Sequence, residues 1–277
     1  MIEAPEALNL AAQLGKTVRG KRIEAVVTSF TPHKFAFFSG DPEGYEGLLL
    51  GKKITGAVSY GGMVDLAAEE AHIVFTDGVN LSYLEPGEKL PTKHQFLLGF
   101  DDESCLIVSI RMYGGILVFN GDSFEAGLWE YYEAARNKPQ VLSDNFTEEY
   151  FTGLINAPEA PAKSAKAFLA TGQTIPGLGN GVLQDILYNA GIHPKTKIKE
   201  LSEGKRMKMY GAIKSTLSEM TAMGGRNSET DLFRKPGGYK PFLSKDTAGE
   251  NCVRCGDIIM KENYMGGAIY YCPGCQK

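Results

Sequence analysis

Four of the five cysteines fall in the last 26 residues, as two C-x-x-C pairs, Cys252/Cys255 and Cys272/Cys275, separated by 16 residues. Each pair forms a tight turn that aims two thiolates at one point, and together they supply the tetrahedral set that zinc prefers. Because four thiolates leave no open position, the pattern predicts one structural Zn²⁺. The alternative is two disulfides or free thiols, which the spacing and the reducing interior of a cell disfavour.

The distribution of charge divides the chain into two unlike halves. Residues 1–149 carry 12 Lys/Arg and 22 Asp/Glu, a net charge of −10, whereas residues 150–277 carry 17 and 11, a net charge of +6. A basic second half favours a polyanionic partner there. The chain has no run of 18 or more apolar residues and no secretory signal, so we expect a soluble cytoplasmic monomer with no membrane partner.

The first 120 residues have the pattern of one helix followed by short strands. Residues 5–19 repeat apolar residues at helical spacing, and Gly20 ends the pattern. The strand-like runs are rich in Val, Ile and Phe and are broken by Gly and Asp-Gly; they cover residues 22–30, 52–66, 71–84, 94–100, 104–114 and 116–120. Consecutive strands without intervening helices predict an antiparallel β-sandwich or barrel, and we expect the sandwich.

From about residue 123 the spacing becomes helical. The predicted helices cover residues 124–138, 147–157, 162–171, 180–191 and 202–225. Residues 226–250 are rich in turn residues and predict a connector, and residues 258–272 predict a β-hairpin that turns near Met265-Gly266-Gly267. The expected class is therefore α+β, with domains at 1–130, 131–240 and 241–277.

A glycine-rich turn, Gln173–Asn180, runs into one of these helices. Backbone N–H groups at such a helix N-terminus can hold a phosphate. Asn180 could cap the helix or donate its own amide, and Lys166 on the preceding helix could approach the same phosphate. A plain glycine-rich helix connector explains the turn equally well.

Three motifs carry a resemblance to a known family. The segment AKAFLATGQTIPGLGNGVLQDILYNAGIHP resembles the helix–two-turn–helix of the formamidopyrimidine-DNA glycosylase / endonuclease VIII family, GGAIYYCPGCQK resembles its zinc finger, and MIEAPEA resembles its Pro-Glu-Leu-Pro-Glu-Val start. The resemblance implies two domains that flank a DNA cleft. It also implies an enzyme that excises oxidised bases from a flipped nucleotide.

The resemblance also assigns roles to individual residues. Glu3 matches the family's catalytic carboxylate and Glu6 its second N-terminal glutamate. Arg111 and Tyr113 match a loop whose arginine and aromatic residue fill the hole left by the flipped base, although Tyr113 could equally pack on the sandwich. Lys93 and His94 resemble a Lys-His pair that faces DNA.

Three positions depart from the family. The N-terminal proline, whose amine attacks C1′ to form a Schiff base, is replaced by Ile2; the lysine of a sandwich turn is replaced by Gly62; and the finger arginine is replaced by Gly267. The scaffold motifs remain while groups needed for catalysis are absent.

Three hypotheses follow. The first is an active DNA glycosylase/AP lyase that uses Glu3 and an unusual amine at Ile2. The second is a protein that binds damaged double-stranded DNA in base excision repair, with catalysis weak, altered or lost. The third is a structural zinc finger whose partner is RNA or protein. The losses at positions 2, 62 and 267 favour the second.

Overall fold

The computed structural model describes residues 1–110, 112–121 and 129–277. The first half of the chain contains two helices, α1 (Ala4–Thr17) and the short α2 (Tyr45–Leu49). The strands of this half are β1 (Ile23–Thr28), β2 (Ala36–Phe38), β3 (Ile54–Tyr60), β4 (Met63–Ala68), β5 (Ala71–Phe75), β6 (Val79–Leu84), β7 (Phe96–Phe100), β8 (Cys105–Ile110) and β9 (Gly114–Asn120).

These strands form two sheets with the orders β1-β7-β8-β6 and β2-β9-β5-β4-β3. Their apolar faces share one core with α1, in which Leu14, Phe75 and Phe96 are completely buried. The predicted sandwich is confirmed. Its pairings are antiparallel except for β2, which runs parallel to β9 at the sheet edge.

The second half contains helices and a hairpin. The helices are α3 (Trp129–Arg136), α4 (Glu148–Ile155), α5 (Ala165–Ala170), α6 (Val182–Ala190) and α7 (Glu203–Ala222), and the hairpin strands are β10 (Met260–Tyr264) and β11 (Gly267–Tyr271). A second core gathers the apolar faces of α4 to α7. The predicted start of α3, residues 124–128, lies outside the described residues. In the described part of the chain, no helix has the length and apolarity needed to cross a membrane.

Sequence patterns missed two elements and merged others. Both β2 and α2 are too short to show a period, with three and five residues. The predicted run 52–66 is a hairpin, β3 and β4, which turns at Gly61-Gly62. The run 71–84 contains β5 and β6, which lie in different sheets. The sequence pattern did not show where β3 ends and β4 begins, or where β5 ends and β6 begins, because a run of apolar residues looks the same whichever sheet its residues join.

Asp185 joins α6 to the chain that leads into the hairpin. Its buried carboxylate accepts hydrogen bonds from the Tyr239 hydroxyl and from the backbone N–H groups of Phe242 and Leu243, each at 2.9 Å. Burial raises the pKa of Asp185 to about 6 although these donors oppose the shift. One side chain therefore satisfies three buried donors and fixes the direction of the connector.

We predict that Asp185→Ala lowers the free energy of unfolding by at least about 3 kcal/mol, because each buried donor left unsatisfied costs about 1–3 kcal/mol. Urea unfolding measures the loss. Asp246→Ala, at an exposed position of the same connector, should change stability by less than about 0.5 kcal/mol.

The pKa of Asp185 is higher in the folded than in the unfolded chain. The stabilisation is therefore full below about pH 4 and declines as the pH rises through about 6, so the difference between wild type and Asp185→Ala should shrink over that interval.

Candidate functional site

The carboxylate of Glu3 caps the N-terminus of α6. It accepts hydrogen bonds from the backbone N–H groups of Gly181 at 2.9 Å and Val182 at 2.7 Å. Gly181 is the N-cap residue and has no side chain to offer. The expectation that Asn180 caps this helix is therefore wrong, because a carboxylate from the other half of the chain occupies the amides and complements the helix dipole.

Arg226 lies against the carboxylates of both Glu3 and Glu6. Its guanidinium lies 3.5 Å from Glu3 and donates to both carboxylate oxygens of Glu6, at 3.0 and 2.9 Å. It also donates to the carbonyl of Met1 at 3.1 Å. Burial raises the pKa of Glu3, and the charge of Arg226 opposes that shift. We call Glu3, Glu6 and Arg226 the ionic cluster; all three side chains are at least nine-tenths buried.

Sequence reasoning missed Arg226, which it placed in a polar connector. A local signal was present in the two glycines before it, because Gly225 has a φ of +97° and a Cβ there would lie 3.2 Å from the carboxylate of Glu6. The two glycines could not indicate a buried arginine by themselves, because its partner, Glu6, is 220 residues away in sequence.

The glycines of the turn before α6 make room for the ionic cluster. A Cβ on Gly179 would lie 2.6 Å from the Glu3 carboxylate, and a Cβ on Gly181 would lie 1.5 Å from the guanidinium of Arg226. The turn also meets the sandwich, since a Cβ on Gly177 would lie 2.6 Å from the backbone of Gly61. These glycines therefore allow close contact between the two halves rather than leaving amides open.

A cavity of about 550 Å³ opens at this junction. Ile2 is buried at its base, and its peptide N–H donates to the carbonyl of Asp77 at 2.7 Å. The amino group at Met1 is paired with the carboxylate of Glu229. The residues that line the cavity include Ile2, Glu3, Gly62, Asp77, Tyr113 and Asn180. The structure thus brings together residues that the sequence analysis singled out from four separate segments.

Lys166 and Asn180 both contact the hairpin turn. The ammonium of Lys166 donates to the carbonyl of Tyr264 at 2.7 Å, and the amide of Asn180 donates to the carbonyl of Ala268 at 3.0 Å. Burial lowers the pKa of Lys166. A Cβ on Gly267 would lie 3.4 Å from the Lys166 ammonium and 3.7 Å from the Asn180 side chain. The three positions therefore form one site, which we call the turn site.

The other residues that the sequence analysis predicted for the site do not lie together. Tyr113 is 41% exposed at the cavity, and burial of the rest of the ring raises its pKa. Arg111 lies outside the described residues. Lys93 is exposed, whereas His94 is buried and stacks on Phe30 with ring centroids 4.4 Å apart.

The four cysteines converge. The sulfur atoms of Cys252, Cys255, Cys272 and Cys275 all lie within 4.8 Å of one another, and this group could hold one metal ion. The Tyr188 hydroxyl lies 3.1 Å from the sulfur of Cys252, and the guanidinium of Arg254 lies 3.9 Å from the centre of the Tyr188 ring. The cysteine group is therefore docked on α6, the helix that Glu3 caps.

Comparison with known proteins agrees with this geometry. No protein-family model matches the chain. Formamidopyrimidine-DNA glycosylases of Carboxydothermus hydrogenoformans and Geotalea daltonii are 28% and 27% identical to it, and each alignment covers all of both chains. These similarities over the whole length of the chain support membership of the formamidopyrimidine-DNA glycosylase / endonuclease VIII family. Lactococcus lactis Fpg, solved with DNA that contains N7-benzyl-Fapy-dG, shares the fold with a TM-score of 0.84 and 21% identity over 99% of each chain.

The departures from the family lie around the cavity and the turn site. Ile2 and Gly62 both line the cavity, and a Cβ on Gly62 would lie 3.1 Å from the carbonyl of Ile2. Gly267 lies in the turn site. The three positions that the resemblance marks as departures therefore lie at the cavity and at the turn site.

We predict that Gly181→Ala destabilises the protein by about 3 kcal/mol, because the added methyl must displace Arg226 from a buried ion pair. Gly181 has a φ of −77°, which alanine tolerates, so the effect isolates the steric clash. Gly153→Ala in α4, where a Cβ meets nothing within 4 Å, is the control and should be neutral or stabilising by up to about 1 kcal/mol. Equal stability of the two variants in urea would contradict the assignment.

Proposed function

We propose that the protein recognises damaged double-stranded DNA in base excision repair and that its lyase chemistry is weak, altered or lost. The observation that carries this proposal is the residue at position 2. The resemblance places a proline amine there, whereas this chain has an isoleucine whose side chain is buried in the sandwich core. With Met1 retained, the nitrogen of Ile2 is a peptide N–H bonded to Asp77 and offers no free amine at the cavity.

The chemistry explains why this position matters. A Schiff-base lyase needs an unprotonated amine next to C1′ and an acid that protonates the departing or ring oxygen. An amine on Met1 lies one residue further out, about 3.5 Å along an extended backbone. A displacement of about 1 Å can cost on the order of 100-fold in rate. Glu3 borders the cavity, but its carboxylate oxygens are held by α6.

The DNA-binding part of the proposal rests on the turn site and the basic second half. The solved Lactococcus lactis relatives are complexes with DNA that contains an abasic site or an N7-benzyl-Fapy-dG lesion. In this chain, Asn180 lies at the edge of the cavity and Lys166 lies behind the hairpin turn. We propose that this turn, with Lys93 and Tyr113 on the sandwich side, faces the DNA backbone and the gap beside an extruded base, and that Arg111 contributes to the same role, as the resemblance implies. The proposed domains are 1–130, 131–240 and 241–277.

An active glycosylase is the second candidate, and the volume of the cavity favours it. A space of about 550 Å³ bordered by Glu3, Asp77 and Tyr113 falls in the usual range for a ligand pocket. If Met1 is removed in the cell, Ile2 becomes the N-terminal residue and carries a primary amine that could form a Schiff base. Intact mass measurement of the purified protein shows which N-terminus is present.

We expect the protein with Met1 retained to bind duplexes that carry an abasic site, an oxidised purine or an oxidised pyrimidine, with at least one bound more tightly than undamaged DNA. Binding should weaken steeply with added salt because phosphate contacts dominate it. Fluorescence anisotropy measures both effects. Borohydride added to the same mixtures should trap no covalent protein–DNA complex.

Two outcomes separate the candidates. A trapped adduct that mass spectrometry locates on Ile2 would identify an active lyase and end the proposal of lost catalysis. If no duplex binds under any salt condition, recognition of DNA is itself wrong and the third hypothesis gains support. An Ile2→Pro chain without Met1 that cleaves abasic DNA would locate the loss at this position.

We also propose that the four cysteines bind one structural Zn²⁺. Two thiolates 2.3 Å from one tetrahedral zinc lie about 3.8 Å apart. The sulfur atoms of Cys252 and Cys275 are separated by 3.7 Å and those of Cys255 and Cys272 by 3.3 Å, so the donor set fits. The ion would supply folding energy to a hairpin that has a small core of its own.

Cys272→Ser should abolish stoichiometric zinc, unfold the hairpin and weaken DNA binding, while the sandwich keeps its thermal transition. Elemental analysis of wild type should find one zinc per chain. Cys105→Ser, which alters the cysteine of β8 far from the cluster, is the matched control and should retain the metal. Natively purified wild type that contains no zinc would end this proposal.

A further inference from the structure

The edge strand β2 carries apolar residues on both of its faces. Ala36 and Phe38 pack against the sandwich core. Phe35, just before the strand, and Phe37 point the other way and remain 47% and 44% exposed. Alternation along a strand ordinarily places polar side chains on the outer face. Packing in the core explains why residue 38 is apolar, but it does not explain why the exposed residues 35 and 37 are phenylalanines.

Other exposed apolar residues continue from these two rings. Gly114 donates its N–H to the carbonyl of Phe35, and Phe37 is the pairing partner of Gly115, so the segment with Met112 and Tyr113 leads directly into this pairing. Met112 is 69% exposed, and Phe30, in the loop between β1 and β2, is 60% exposed. We call Phe30, Phe35, Phe37, Met112 and Tyr113 the aromatic strip. Exposed apolar residues grouped in this way mark a binding site more often than they serve folding.

The aromatic strip is continuous with the candidate site. Phe37 and Tyr113 line the cavity together with Ile2 and Glu3. The strip therefore reaches the cavity through these two residues, and a ligand in the cavity lies next to both rings.

The charge of the strip selects the class of that ligand. Residues 29–40 contain His33 and Lys34 and no acidic residue, although residues 1–149 as a whole carry a net charge of −10. The ammonium of Lys34 lies 5.3 Å from the centre of the Phe35 ring, and Lys93 is exposed next to His94, on which Phe30 stacks. Cations beside exposed rings are the arrangement with which proteins bind single-stranded nucleic acid, ring to base and cation to phosphate.

We propose that the aromatic strip binds unpaired bases of a DNA strand next to the cavity, so that the protein binds single-stranded DNA in addition to damaged duplex. This inference rests on the proposed DNA-binding function. Residues 35 and 37 are spaced about 6.6 Å apart along the strand. That is about twice the 3.4 Å separation of stacked bases, so one base can enter between the two side chains. Bases inside an undamaged duplex are already stacked and paired and cannot use the strip.

The test compares two DNA forms with one double variant. Anisotropy titrations with labelled oligothymidine and with an undamaged duplex of the same length measure the affinity for each. Loss of a stacking ring lowers affinity about 5- to 150-fold per base. Phe35→Ala/Phe37→Ala should therefore weaken oligothymidine binding at least about 10-fold and leave duplex binding within about two-fold. Phe35→Tyr/Phe37→Tyr keeps both rings and should restore oligothymidine binding.

Phe233→Ala is the control, because Phe233 is similarly exposed at 38% but packs on Tyr83, outside the strip. Equal losses on both DNA forms, or no loss on either, would overturn the strip as a site for unpaired bases. A wild-type dimer that the double alanine variant converts to a monomer in light scattering would overturn it in favour of a second copy of this chain. Absence of binding by wild type to both damaged duplex and oligothymidine would instead count against the proposed function.

Discussion

The buried contact between the Glu3 carboxylate and the N-terminus of α6 is the interaction on which the arrangement of this protein depends. It joins the first residues of the chain to a helix about 180 residues later, and Arg226, from a third segment, lies 3.5 Å from Glu3 and also pairs with Glu6. Removal of one partner from such a buried group typically costs about 3–5 kcal/mol, because the remaining charge is left uncompensated. The position of the cavity follows from this contact, since the residues on either side of it form its walls.

The same contact changes how the glycine-rich turn is understood. A turn that precedes a helix ordinarily offers open amides to an anion, and here the protein supplies the anion itself. Gly179 and Gly181 are needed because a carboxylate and a guanidinium occupy the space of their side chains. The amides of this helix N-terminus are therefore occupied, and the donors of Lys166 and Asn180 lie instead at the turn site, against the hairpin carbonyls.

The proposed loss of catalytic groups is compatible with retention of the scaffold for a physical reason. The ionic cluster, the cysteine group and the two cores stabilise the fold, and none of them involves Gly62 or Gly267. Ile2 contributes its side chain to the sandwich core. An apolar residue at this position therefore adds to packing, and the neighbouring Glu3 stabilises the fold through its buried contacts with α6.

The sequence by itself determined the class of the fold, the order of its parts, the family and the cysteine group, because period, spacing and motif are local properties. The positions of α1, α4, α6 and α7 agree with apolar spacing, and the hairpin turns at Met265-Gly266 as its glycines predicted. Only the tertiary structure decided that Glu3 rather than Asn180 caps α6, that Arg226 belongs to the site, and that Phe35 and Phe37 face outward beside the cavity. Each of these depends on a partner distant in the chain, and the energy of a buried charge or an exposed ring is set by neighbours that no local pattern contains.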